Sequence, residues 1–153
     1  MWSKEDLQMD KISENKLFTD AGVALKNPST IGGMWAYRLL QDGLVVAQAS
    51  GFIEAKHFPG AVTNNQTEML ALVRGLEALP PDWVGTIYSD SQITLGRAFL
   101  GWKWDNIPTW LYNRFGQQRA RLENWWPTIQ YVLLDGHPTR AQLKAGIGKR
   151  GHP

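Results

Sequence analysis

At 153 residues, with 43% apolar and 20% charged side chains, the chain has the size of one ordinary domain and is too apolar for intrinsic disorder. It contains no cysteine, which excludes a disulfide framework and a thiolate zinc site, and no apolar run approaches the length of a membrane span. The net charge of +2 is unevenly spread: residues 1–96 hold 7 Lys/Arg against 11 Asp/Glu, and residues 97–153 hold 9 against 3. Acids early and bases late suit a protein that brings a cation-binding pocket to a polyanion, although a solvated basic face would look the same. Met1–Lys16 carries acids where a signal peptide needs an apolar core, so a soluble cytoplasmic protein is expected.

Residues 1–15 are polar and read as an N-terminal extension, a short helix or tail without evident chemistry. Lys16–Gly22 (KLFTDAG) reads as a strand with Phe18 and Asp20 on one face and Leu17 and Thr19 on the other. An acid on the same face as Phe18 is costly to bury unless paired, hydrogen-bonded or metal-bound; alternatively Asp20 opens a turn with Ala21-Gly22. Asn27-Pro28-Ser29-Thr30 is a turn. Ile31–Leu40 and Leu44–Glu54 then form two strands joined by the hairpin signal Asp42-Gly43, which completes an antiparallel meander.

After a loop over 55–62, Thr63 or Asn64 caps a helix that runs to about Leu79, where Pro80-Pro81-Asp82 stops it. Met69, Leu72, Val73, Leu76 and Leu79 recur near the helical period, so one face is buried. Glu68 stands beside that stripe in the first two turns, where its simplest role is a favourable interaction with the helix dipole. Trp83–Asp90 (WVGTIYSD) reads as the fourth strand, ending on Asp90, and a helix follows from Gln92 to about Gly101. A strand after a helix after a strand implies a parallel crossover, and working groups gather at the carboxyl ends of such strands; as a local feature Asp90 could equally cap the next helix. Residues 102–108 form an irregular loop. Thr109–Glu123 is a helix with Arg114, Arg119 and Arg121 beside Trp110, Tyr112 and Phe115, either tracking phosphates or simply amphipathic. Thr128–Leu134 is the fifth strand, followed by Asp135-Gly136-His137-Pro138 and a basic tail.

The order is β-β-β-α-β-α-β, with acids on the first strand, the first helix and the tip of the fourth strand. Three carboxylates from separated segments, with no cysteine and no histidine cluster, make a hard oxygen site suited to Mg²⁺ or Mn²⁺. Two such ions clamp the attacking and leaving oxygens of phosphodiester hydrolysis.

The chain also resembles the type 1 ribonuclease H family from about Leu17 to Pro153. Thr63-Asn64-Asn65-Gln66-Thr67-Glu68-Met69 is similar to the family's TNN-x-x-E-L helix start, Tyr88-Ser89-Asp90-Ser91-Gln92 to its TDSQ strand end, and Leu17-Phe18-Thr19-Asp20-Ala21-Gly22 to its first acidic strand. Asn27-Pro28 and Gly32-Gly33 fall where the family has NPG and GG. The resemblance implies an α/β, ribonuclease H-like fold: a five-stranded mixed sheet of an antiparallel meander and two parallel crossover strands, flanked by helices. It implies an endonuclease that hydrolyses the RNA strand of RNA/DNA hybrids with two Mg²⁺ or Mn²⁺ ions and leaves 5′-phosphates. Asp20, Glu68 and Asp90 would be three of four metal-binding carboxylates. Asn27, Thr63, Asn64, Asn65 and Gln92 would contact the hybrid, and His137 would assist leaving-group protonation or product release. The RNA strand would be recognised by its 2′-hydroxyls and the DNA strand by a phosphate pocket near Thr63. A monomer that binds hybrid and no membrane is the corresponding expectation.

Three departures qualify this. His137 and His152 are 15 apart where the family spaces them by three, so 12 residues carrying Arg140, Lys144 and Lys149 are inserted, an arm expected to touch phosphate. The given sequence stops at Pro153, before the family's fourth aspartate and final helix, as it would if the tail were trimmed; Asp135 is a weak substitute, and low activity or a preference for Mn²⁺ is expected of this 153-residue form, with a non-catalytic hybrid-binding module as the alternative. Only Gly101–Pro108 stands where many relatives carry a basic helical protrusion, which would leave Trp102, Trp104 and the arginines of the next helix to grip substrate.

Overall fold

The computed structural model describes residues 14–134. The elements are β1 (Lys16–Val23), β2 (Gly32–Gln41), β3 (Leu44–Glu54), α1 (Asn64–Glu77), β4 (Thr86–Ser89), α2 (Gln92–Phe99), α3 (Thr109–Arg121) and β5 (Gln130–Leu133). They form one mixed sheet in the order β3-β2-β1-β4-β5, with β1–β2 and β2–β3 antiparallel and β1–β4 and β4–β5 parallel. This is the meander followed by two crossover strands that the sequence predicts.

Alternating side chains divide β1 between the two faces of the sheet. Leu17 joins Leu39, Ile87 and the buried faces of the helices in the main core, which includes Met69, Leu72, Leu76, Leu111 and Phe115. Phe18 lies on the other face with Ala36, Leu40 and Tyr88, its ring stacked on Tyr88 at 4.6 Å. The Lys16 ammonium lies 5.1 Å from the centre of the same Tyr88 ring, so its apolar stem and its charge both find partners in a buried place.

Helix α1 packs on the sheet at two glycines. A methyl group on Gly33 of β2 would come within 2.4 Å of Thr67 Cγ2, and one on Gly75 of α1 would press on Leu17 at 3.0 Å. These two glycines let helix and strands meet at backbone distance. At the N-terminus of α1 a capping box forms: Gln66 N–H donates to Thr63 Oγ1 (3.3 Å) and Thr63 N–H donates to Gln66 Oε1 (2.8 Å). Thr63, rather than Asn64, is therefore the cap.

Two strands are shorter than the sequence predicts. The fourth begins at Thr86, not Trp83, because its ladder partner β1 begins at Lys16; Trp83 instead folds back in a turn, its N–H donating to Pro80 O, and buries its ring in the core. The fifth begins at Gln130, not Thr128, because Pro127, which has no N–H to give a ladder, sets Trp126–Thr128 in a single 3-10 turn. Asp90 thus lies one residue past its strand, in the turn into α2. Strand β3 forms one rim of the sheet, carries no charge or proline from Leu44 to Ile53, and exposes Leu44, Val45, Val46 and Phe52. His137, Asp135, the inserted 138–149 segment and most of the N-terminal extension lie outside the described residues.

Candidate active site

The parallel register of β1 and β4 pairs Lys16 with Thr86, Leu17 with Ile87 and Phe18 with Tyr88. Asp20, further along β1, and Asp90, just past the end of β4, come together at the same end of this parallel pair. Helix α1 brings Glu68 to the same place, because the close approach at Gly33 fixes Thr67, its neighbour, against β2. One carboxylate oxygen from each of Asp20, Glu68 and Asp90 lies within 4.8 Å of the other two. Asp20 and Glu68 are buried and Asp90 half-buried, so the cluster opens to solvent on the Asp90 side.

Each acid is held by its own element. The Ala21 N–H donates to Asp20 Oδ1 at 2.9 Å, which fixes one oxygen of that carboxylate. Glu68 sits in the second turn of a well-capped helix. The Asp90 turn is tied by Ser91 N–H donating to Ser89 Oγ (3.0 Å), while Ser91 Oγ accepts from Thr94 N–H (3.2 Å) and caps α2. Ser91, not Asp90, is therefore the helix cap, and the Asp90 carboxylate belongs to the cluster.

Three carboxylates at this spacing repel one another when ionised, and burial makes that repulsion expensive. A divalent cation among them reverses the sign of the interaction. Among the described residues the donor set is all oxygen, so it fits a hard ion such as Mg²⁺ or Mn²⁺.

Of the polar residues singled out as substrate contacts, Thr63, Asn64 and Asn65 stand about one turn before Glu68 at the start of α1. A backbone bridge between Ser29 and Val62 clamps the β1–β2 loop against the entry to α1. The Asn64 N–H donates to Asn27 Oδ1 at 3.1 Å, so Asn27, Thr63 and Asn64 form one surface at the N-terminus of α1. Asn65 is exposed next to them, and Gln92 is exposed at the first position of α2, two residues from Asp90. Trp102 is 41% exposed and lies over α2, where a methyl on Gly96 would meet its ring at 2.1 Å.

The arginines of α3 each have a partner within the fold. Arg114 makes a two-pronged ion pair with Glu77 of α1 (2.5 and 2.7 Å), and the Glu77 bond holds its guanidinium above the ordinary arginine range. Arg121 donates to Leu76 O (2.9 Å), and Arg119 stacks 4.7 Å from the Trp126 ring centre. These residues tie α3 to α1 and to the core edge. Sequence reasoning also missed Arg97 of α2, whose Nε and Nη2 donate to the carbonyls of Lys103 (2.8 Å) and Asp105 (2.9 Å). A lone arginine in an amphipathic run gives no sign of such a role.

No protein-family model matches the chain. It is 29% identical over 140 residues to a ribonuclease H of Campylobacter curvus, an alignment that covers 90% of this chain and 82% of that protein. Among solved structures, LC11-RNase H1, isolated from compost, superposes with a TM-score of 0.63 at 20% identity, covering 88% of this chain and 92% of that one. The same enzyme in complex with RNA/DNA hybrid gives 0.62 at 21% identity, covering 89% and 95%. The N-terminal RNase H domain of rv2228c from Mycobacterium tuberculosis, solved as a maltose-binding protein fusion, gives 0.62 at 16% identity, covering 90% and 99%. The sheet, the helices and the acidic trio thus share the fold of these ribonuclease H structures, and along nine-tenths of its length the chain is similar to a ribonuclease H.

Proposed function

We propose that the protein is a metal-dependent endonuclease that hydrolyses the RNA strand of RNA/DNA hybrids. The observation that carries this reading is the convergence of Asp20, Glu68 and Asp90, whose oxygens lie within 4.8 Å of one another in a half-open cluster. Two divalent ions there would activate a water and stabilise the departing 3′-oxygen. The chain's own contribution is placement. β1 and the turn after β4 bring two carboxylates together, and α1 supplies the third. The cluster opens at Asp90, and Gln92 stands next to that opening. The surface of Asn27, Thr63, Asn64 and Asn65 flanks it as the seat for the duplex, with amides to meet minor-groove edges and 2′-hydroxyls. The N–H groups and dipole at the start of α1 suit a phosphate near Thr63. Trp102 adds an exposed ring face for the same ligand. His137, by its resemblance to the family's mobile histidine, would protonate the leaving group or speed product release. We further propose a cytoplasmic monomer, with residues 16–153 as the working domain.

The retained trio favours an enzyme over a non-catalytic hybrid-binding module, because three clustered acids would only weaken the binding of a polyanion. Labelled RNA/DNA hybrid, double-stranded DNA and double-stranded RNA, each incubated with Mg²⁺ or Mn²⁺, test this directly. Cleavage of the hybrid's RNA strand alone is expected, leaving 5′-phosphates, with Asp20→Asn slower by roughly 10³-fold or more, the scale of losing a charge-stabilising group. Hybrid that is bound but left intact under both metals would establish the binding module instead. Cleavage of duplex DNA would remove the substrate assignment.

A further inference from the structure

The loop between α2 and α3 is held from two sides by side chains that bond its carbonyls. From α2, Arg97 takes Lys103 O and Asp105 O. From α1, the Gln66 Nε2 amide donates to Asn106 O at 2.5 Å, while Gln66 Oε1 accepts from Thr63 N–H. Both ends of the Gln66 amide are therefore used, and the side chain is only 2% exposed. Asn106 has a left-handed backbone, with φ of 60°, which turns its carbonyl inward to meet that amide. The inward turn of three carbonyls leaves Lys103 exposed at the surface, and Lys103 is the only base between Gly101 and Pro108.

We propose that Gln66 is a positioning residue: its buried amide joins the hybrid-contacting start of α1 to the α2–α3 loop, so that Lys103 and the Thr63–Asn65 surface grip one duplex as a single rigid unit. The inference rests on hybrid as the substrate class. Gln66 itself touches no substrate. It makes the loop, which is too short to hold a structure of its own, a fixed part of the surface beside α1.

The test uses the full chain and three variants. Gln66→Glu keeps the acceptor that caps α1, and glutamate is a favoured third residue in a capping box, but it replaces the donor to Asn106 O with a repelling oxygen. Gln66→Met is neutral and of similar length, and controls for the added charge. Residues 66 and 68 lie on different sides of α1, so Glu68 is not directly addressed by either change. The first readout needs no substrate: amide hydrogen exchange over 102–106 is expected to quicken in both variants, with that of β1 and β4 unchanged. Unchanged exchange in the loop overturns the proposal whatever the substrate is.

The second readout is affinity for a hybrid duplex in EDTA as a function of salt. Both variants are expected to bind about fivefold more weakly, the scale of removing one hydrogen-bonded restraint. Their plots of log affinity against log salt should be shallower by about one, as when one phosphate is no longer neutralised. Lys103→Ala should give the same change in slope in the wild type and none in Gln66→Met, a non-additivity that a general loss of stability does not produce. Turnover should show the loss in KM, with kcat within about twofold. A full Lys103→Ala effect in the Gln66→Met background overturns the coupling. Wild-type protein that binds no hybrid removes the substrate class on which the second readout stands, and with it the proposal, while the exchange result still reports the clamp.

Discussion

Asp20, Glu68 and Asp90 are placed by three different local devices, and one charge removed at a time should separate their electrostatic cost from their use. Because the three oxygens lie within 4.8 Å, neutralising one relieves repulsion in the metal-free protein. Glu68→Gln is therefore expected to raise the thermal midpoint in EDTA while abolishing the rise that Mg²⁺ brings to the wild type. At about 100 times the dissociation constant, Mg²⁺ should stabilise the wild type by about 2.7 kcal/mol, and chelation should reverse it. Differential scanning fluorimetry with and without EDTA measures both, and a variant that still gains full stability from Mg²⁺ contradicts the assignment. His137→Ala is expected to lower kcat by roughly 10²-fold with hybrid affinity unchanged, the signature of a missing proton donor and not of a missing binding group. Single-turnover and binding measurements together distinguish the two. The acids were legible in the sequence because each stands at an odd place in a recognisable local pattern: inside an apolar strand, beside a buried helix stripe, after a strand end. Gln66 was not legible, since its partner is a backbone carbonyl 40 residues away.

At the scale of elements, most of the secondary structure follows from period, caps and turns, and the errors fall where a partner decides. β3 spans Leu44–Glu54 as its alternation and the Asp42-Gly43 turn require. β4 is cut to Thr86–Ser89 because a strand extends only as far as its ladder does, and apolar character over 83–85 could not reveal where β1 starts. The basic residues of α3 read equally as phosphate contacts or as an amphipathic face, because an arginine's spacing on its own helix does not show which acid it meets. Glu77 is 37 residues from Arg114. That pair is half-sheltered, with side-chain exposures of 31% for Arg114 and 25% for Glu77, and ties α3 to α1. A double-mutant cycle of Glu77→Ala and Arg114→Ala, read by urea denaturation, is expected to give a coupling of about 1 kcal/mol in favour of the pair, and hybrid affinity should stay within about twofold in Glu77→Ala. A large loss of affinity in that variant would return Arg114 to the substrate surface.

Across the whole molecule, the acids of the first half build the pocket, and the bases of the second half are divided between structure and ligand. Arg97, Arg114, Arg119 and Arg121 each have a partner within the fold, while Lys103 stands exposed in the α2–α3 loop. The inserted 138–149 segment adds Arg140, Lys144 and Lys149 outside the described residues. Its deletion is expected to flatten the salt dependence of hybrid binding by up to about three, roughly 0.9 for each phosphate that its bases neutralise. Identical slopes for the deleted and intact chains would show that the arm does not meet the duplex. The fold was legible at this scale because meander, crossover and motif order point the same way, while the partition of charge was not, because composition counts bases without saying which already have partners inside the fold.

The rim formed by β3 has a further effect on how molecules meet. Its outer amides and carbonyls have no neighbouring strand among the described residues, and ten consecutive positions, Leu44–Ile53, offer nothing that would repel a similar strand. Crowded chains can therefore continue the sheet from one molecule into the next, so crystals and precipitates of this protein should share a lateral, strand-to-strand seam along that border.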